Sequence, residues 1–199
     1  MGPVLILYYS RNGATAKLAR AIATGVESAG ATAMLRTVPP LATHGDAPPG
    51  PLPENGPPYA TLDDLTACSA LALGSPTRFG NMAAPLKHFI DSSSHLWLKG
   101  TLINKPACVF SSTSSMHGGQ ESTLLTMMLP LLHHGMVVCG LPYSEPELHS
   151  TTTGGSPYGA THVENGSAPG LSADEQSLCV AQGKRLASLA RQLSQLHSS

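Results

Sequence analysis

The chain has 199 residues, 41% of them apolar and 12% charged, which suits one globular domain with a real core and leaves little room for two full domains. Eleven Lys and Arg against twelve Asp and Glu give a formal net charge of −1, with no local basic cluster. The electrostatic footprint of a nucleic-acid or anionic-membrane binder is therefore missing. No apolar run reaches the roughly 18 residues of a membrane span, and Met1-Gly2-Pro3 leads straight into the first apolar run without a charged leader, so the expectation is a soluble cytoplasmic protein.

Val4 to Tyr9 is too short for a helix and apolar on both faces, the pattern of a central parallel strand. A polar loop, Ser10 to Thr15, follows. Leu18, Ala19, Ile22, Ala23 and Val26 then recur at helical spacing up to a stop at Gly30. Ala31 to Val38 reads as a second strand. Eight of the seventeen prolines crowd into residues 39–58, so 39–60 is an excursion inside one domain, 1–199. Thr61-Leu62-Asp63-Asp64 opens a short helix ending near Cys68, and Ala70 to Gly74 is another strand, breaking into Ser75-Pro76.

A helix is expected from about Pro85 to Ser93, and a strand from Pro106 to Ser111 that runs into the polar loop 111–120. A long apolar helix then reaches about His134, and Met136 to Leu141 closes the strand set. Residues 142–170 show no periodicity and are too long for an ordinary connection, which points to a functional loop or an oligomer contact. Ser172-Ala173-Asp174-Glu175 is a capping box, and Leu186, Leu189, Leu193 and Leu196 form one stripe of the last helix.

Five strands alternating with helices imply an α/β three-layer sandwich: a parallel sheet with helices on both faces, binding its ligand beyond the carboxyl ends of the strands. The polar loops 10–15, 75–81 and 111–120 lie where that rule puts a site. Hydroxyls of Ser10 and Thr15, a close approach at Gly13 and a helix N-terminus suit a phosphate. Neither G-x-x-x-x-G-K-[ST] nor G-x-G-x-x-G is present, so a terminal monophosphate fits better than a triphosphate or a dinucleotide pyrophosphate. A phospho-accepting receiver would carry acidic residues where Ser10 and Ser75 stand, and Gly74-Ser75-Pro76 is not a nucleophile elbow. The nine histidines show no H-E-x-x-H, and Cys68, Cys108, Cys139 and Cys179 form no C-x-x-C. Buried thiols in a reducing compartment, and no metal, are expected.

Five segments resemble one family in order: Val4-Leu5-Ile6-Leu7-Tyr8-Tyr9-Ser10-Arg11-Asn12-Gly13; Gly74-Ser75-Pro76-Thr77-Arg78-Phe79-Gly80-Asn81-Met82; Phe110-Ser111-Ser112-Thr113 with His117-Gly118-Gly119-Gln120-Glu121; His133-His134-Gly135-Met136; and Gly154-Gly155-Ser156-Pro157-Tyr158-Gly159-Ala160-Thr161. They are similar to the WrbA family, flavodoxin-like NAD(P)H:quinone oxidoreductases once called Trp-repressor-binding proteins. The resemblance implies a five-stranded sheet of order 2-1-3-4-5, bound FMN, NADH or NADPH as donor, a quinone acceptor reduced by ping-pong hydride transfer, and a homotetramer. It also implies that Ser10, Arg11, Asn12, Gly13, Ala14 and Thr15 surround the FMN phosphate, and that Thr77, Arg78 and Phe79, in a loop with Pro76, Gly80 and Asn81, flank the isoalloxazine. Ser112, Thr113, Ser114, Ser115, Met116, His117 and Gly118 would wrap its other edge. His133 would reach over from a neighbouring subunit, and Trp97 would help form the quinone and nicotinamide pocket. Asn12 replaces an aromatic found in some members, and Ser114 to His117 replaces a more glycine-rich stretch.

In physical terms Phe79 and Trp97 suit a stacking slot, Arg78 suits negative charge on a reduced ring or the donor, and His133 suits a hydrogen bond to the ring or to a quinone oxygen. The alternatives are a flavodoxin-type electron carrier and a non-enzymatic regulatory flavoprotein. A charge near zero and the long 142–170 segment argue against the carrier, and nothing in the residues supports nucleic-acid contact by a regulator.

Overall fold

The computed structural model describes residues 1–42, 50, 52–53, 55–164 and 170–196. Every strand pairing is parallel. β1 (Val4–Tyr8) lies between β2 (Ala33–Thr37) and β3 (Ala70–Pro76), and β3 pairs with β4 (Pro106–Thr113). β4 pairs with β5 (Val137–Val138) at its start, so the order is β2-β1-β3-β4-β5, as expected. The sheet has six strands rather than five. β5 is only two residues long, and β6 (Thr161–Val163) takes up the far end of β4 through Ser111, Ser112 and Thr113. The segment read as lacking periodicity thus supplies both a strand and the short helix α6 (Glu147–Ser150).

Alternation along the central strands splits the core into two layers. Val4, Ile6, Tyr8, Ala70, Ala72, Cys108 and Phe110 face α1 (Ala14–Ser28) and α7 (Ala173–Leu196). Leu5, Leu7, Leu71, Leu73, Ala107 and Val109 face the side holding α2 (Leu62–Ala67), α3 (Ala84–Asp91), α4 (Ser94–Leu98) and α5 (Gln120–His133). The helix expected near 85–93 is α3, and a further short helix, α4, follows it at once: between them the Ser93 hydroxyl donates to the Ile90 carbonyl at 2.6 Å.

Local chemistry fixes the helix starts. At α2 the Thr61 hydroxyl accepts the Asp64 amide while the Asp64 carboxylate accepts the Thr61 amide, 3.2 and 2.9 Å. Ser172 and Glu175 close the same reciprocal pair ahead of α7, at 3.2 and 2.8 Å. Of the α7 leucines, Leu186 is buried and Leu189 packs against the same core, while the Leu196 side chain lies outside the described residues, as does much of the Pro-rich excursion. Among the described residues no helix is long and apolar enough to cross a membrane.

The tightest packing is between α1 and α7, where two glycines meet the opposite backbone. A Cβ on Gly183 would sit 2.1 Å from the Ile22 carbonyl oxygen, and one on Gly25 would sit 2.2 Å from that of Val180. This seam holds α1, and with it the loop before it, against the sheet. Backbone cannot yield as a side-chain tip can, so Gly183→Ala is expected to cost about 2 kcal/mol. At this chain length that lowers the thermal midpoint by roughly 5 °C, measurable by calorimetry; an unchanged midpoint would contradict the seam.

Candidate functional site

β1, β3 and β4 end side by side, and their loops enclose a cavity of about 300 Å³ lined by Ser10, Arg11, Asn12, Ala14, Thr15, Pro76, Thr77, Arg78, Ser112, Thr113, Ser114 and Glu164. All three loops singled out in the sequence therefore converge. Gly13 does not line the cavity but makes the turn: it caps α1 at φ +91°, with open space where a side chain would stand, and its amide donates to Ser10 Oγ at 3.1 Å. Ser10 Oγ also accepts the Ala16 amide at 3.3 Å.

Among the described residues the amides of Arg11, Asn12, Ala14 and Thr15 find no acceptor. These unpaired donors at the positive end of a 15-residue helix form a cradle for an anion. The Thr15 and Ser112 hydroxyls, buried and hydrogen-bonded to each other at 2.9 Å, leave one O–H free as a further donor on the inner wall. A monophosphate fits this set, since amides and hydroxyls dominate and Arg11 supplies an unpaired cation at the rim. The donor chemistry matches the phosphate of a mononucleotide.

The second loop is held from behind by α5. Thr123 Oγ1 lies 2.7 Å from Thr77 Oγ1, and the Thr126 hydroxyl donates to the Gly80 carbonyl at 3.1 Å. Arg78 and Asn81 exchange backbone hydrogen bonds of 2.8 and 3.1 Å around Phe79 and Gly80, both at positive φ, +52° and +75°. A mirror-image turn of this kind favours Asn or Gly, and an aromatic residue there is strained. Its ring stands fully exposed beside the cavity rim. Arg78 Nη1 donates to the Thr77 carbonyl at 2.7 Å and has no carboxylate partner among the described residues. A second, open cleft of about 800 Å³ adjoins the first, sharing Arg11 and Arg78 and adding Tyr9, Met82 and Asn81.

On the third loop Ser112, Thr113 and Ser114 line the cavity, while Ser115, Met116, His117 and Gly118 lie further out; Met116 and His117 are exposed. Thr113 is locked by Gln120, whose amide donates at 3.0 Å and whose carbonyl accepts from Thr161 of β6 at 2.7 Å.

His133 and Trp97 stand elsewhere in the protomer. Trp97 Nε1 donates to the His133 carbonyl at 2.9 Å, and the pair borders a separate cavity of about 390 Å³ with Ile90, Leu129 and Pro130. The adjacent His134 turns inward, its Nε2 2.9 Å from Ser93 Oγ. Burial, then the neighbouring His133, pushes its pKa down and keeps it neutral. The four cysteines are free and buried, and burial raises each thiol, Cys68 to about 11, which leaves them inert. No cluster among the described residues suits a metal ion.

Glu164 is the lining residue that the sequence did not single out. It follows β6, pairs with Lys17 of α1 at 3.0 Å and contacts His162, an arrangement that joins positions 147 residues apart.

The sequence profile of the NADPH-dependent FMN reductase family matches residues 4–144. A protein of Solidesulfovibrio magneticus named NAD(P)H dehydrogenase (quinone) is 41% identical, the alignment covering 96% of this chain and 98% of that protein. One of Geobacter sulfurreducens with the same name is 42% identical, over 96% and 98%. In three dimensions the chain is similar to a WrbA-like flavodoxin of Agrobacterium tumefaciens, with a TM-score of 0.70, 22% identity, and coverage of 96% and 99%, which shows the flavodoxin-like fold.

The strained turn gives a specific expectation. Phe79→Asn should stabilise the fold by about 1 kcal/mol in denaturant melts, because Asn tolerates positive φ. The same change removes the exposed ring at the cavity rim. A loss of stability would mean that the ring is held by packing instead.

Proposed function

The chain belongs to the NADPH-dependent FMN reductase family, and from that membership and the cradle at the start of α1 we propose that it is an FMN-dependent NAD(P)H:quinone oxidoreductase of the flavodoxin-like WrbA type. Bound FMN supplies the two-electron chemistry between reduced nicotinamide and quinone, which take turns at one slot in a ping-pong cycle. The observation that carries this reading is the set of unpaired amides on Arg11, Asn12, Ala14 and Thr15, residues that line the same cavity as the loops after β3 and β4.

In this reading Ser10, Thr15 and the amides of Arg11, Asn12, Ala14 and Thr15 hold the phosphate, with Gly13 making the turn between them. Thr77, Arg78 and Phe79 flank the ring, with Pro76, Gly80 and Asn81 shaping their turn, and Ser112 to Gly118 lie along its other edge. Arg78 presents a guanidinium free of carboxylates, able to hold negative charge that develops near the ring. Phe79 offers an apolar face for stacking and excludes water from the slot.

His133 and Trp97 complete the slot from a second subunit, His133 holding a proton at a quinone oxygen. They border a cavity that shares no lining residue with the phosphate cavity, which supports this arrangement. So does the exposed apolar face beside them: Leu125, Leu129 and Leu132 of α5 with Leu98 and Ile103, an uncovered patch of the kind that subunit contacts hide. The assembly is a homotetramer. The compartment is the cytoplasm, where four buried unpaired cysteines stay reduced.

Purified protein should bind FMN rather than FAD, bleach anaerobically with NADH or NADPH and recover its colour with benzoquinone; bleaching without quinone turnover would favour an electron carrier. Ser10→Ala with Thr15→Ala should weaken FMN binding at least tenfold, because each hydroxyl bonded to a charged group contributes about 1.5 to 3 kcal/mol. Unchanged affinity would refute the phosphate assignment. Sedimentation at working concentration should give a tetramer, and a monomer would refute the shared slot.

A further inference from the structure

Behind the phosphate cavity runs a chain of four ionisable groups. His162, buried on β6 opposite Ser112 of β4, places Nδ1 2.8 Å from Glu175 Oε2 and Nε2 3.3 Å from Glu164 Oε2. Glu164 Oε2 is also 3.0 Å from Lys17 Nζ, and Glu164 lines the cavity. A neutral imidazole has one N–H and cannot donate to both carboxylates. The geometry is satisfied only by the imidazolium.

Glu175 is pinned as a carboxylate. Besides His162 it accepts the amides of Gly154 and Ser172 at 2.8 Å and that of Val163 at 3.3 Å. Burial raises its pKa, but these hydrogen bonds outweigh the penalty and hold it below its ordinary value. Burial likewise disfavours the charged His162, and the paired carboxylates override it, leaving its pKa raised. Glu164 is held low, first by Lys17.

Among the described residues, the charged groups facing His162 are Glu175 from α7 and Glu164 from the segment after β6, with Lys17 of α1 reached through Glu164. β4 presents only the uncharged Ser112. Two cations and two carboxylates cancel. Without the imidazolium proton the group carries one net negative charge, next to the place meant for a dianion.

We propose that the Lys17–Glu164–His162–Glu175 chain sets the charge of the cofactor cavity, so that retention of the FMN phosphate depends on His162 remaining an imidazolium that neutralises Glu164. The inference rests on the FMN reading above and adds a control over cofactor occupancy. Its sign follows directly. Below the raised pKa of His162 the wall is neutral and the phosphate stays; as pH rises through that value the wall becomes negative and FMN is released. The phosphate itself contributes nothing to this change, since its second ionisation, near about pH 6, is complete before the range concerned.

The test is the dissociation constant of FMN, and of riboflavin as a phosphate-free probe, by flavin fluorescence quenching between pH 7 and 9, with circular dichroism confirming that the protein stays folded. The FMN constant of the unaltered protein should rise about tenfold across the range, as expected of one unscreened charge near the phosphate, while that of riboflavin stays level. Glu164→Gln should bind FMN more tightly than the unaltered protein at pH 9, because loss of the imidazolium proton then takes the group only from one positive charge to neutral. His162→Gln should bind FMN at pH 7 as weakly as the unaltered protein does at pH 9. FMN binding that is independent of pH, an equal rise for riboflavin, or the same rise in His162→Gln would overturn the inference while leaving the cofactor assignment standing. An absence of FMN binding at every pH would overturn both.

Discussion

Four backbone amides at the start of α1 have no carbonyl to bond, and the rest of the site is arranged around that fact. A helix must leave its first N–H groups unsatisfied, and here they open into a cavity where three parallel strands end together. Water satisfies such groups at little cost; a phosphate satisfies them with charge as well. The core keeps them in place. β1 is buried on both faces, and α1 is clamped to α7 across Gly25 and Gly183, so the loop between β1 and α1 cannot drift from the loops that face it.

Around this rigid seat the protein places less comfortable features. The Phe79 turn adopts a backbone conformation that an aromatic residue resists, and it projects a large ring into solvent beside the cavity. Glu164 sets a carboxylate in the wall of an anion site, acceptable because Lys17 and His162 face it. Trp97 and His133 border a cavity of their own, with an exposed apolar face beside it. Each feature costs stability or solubility in an isolated chain, and the function proposed above gives each a use.

How much of this was legible in the sequence follows from the range of the interactions. The start of α1, the reciprocal caps at Thr61 and Ser172, and the three loops at the strand ends depend on residues within a few positions of one another, and they were readable. β6 was not. Three residues give no periodicity, and Thr161 to Val163 become a strand only because β4 extends beyond the two-residue β5 and leaves its far end open for pairing. Glu164 escaped for the same reason: its role is defined by Lys17 and by a cavity built from distant segments. The end of α3 near Ser93 was legible, while α4 was not, because five residues are too few to show a helical period. On the third loop Met116 and His117 are exposed in the single chain.

The position of the FMN phosphorus in a crystal structure of the complex tests the central claim most directly. It should lie within hydrogen-bonding reach of Ser10 Oγ and the amides of residues 11–15, with the ring extending towards Arg78 and Phe79. A phosphate found instead in the polar groove of about 770 Å³ beside α7, among Lys184, Arg185 and Ser188, would contradict the account.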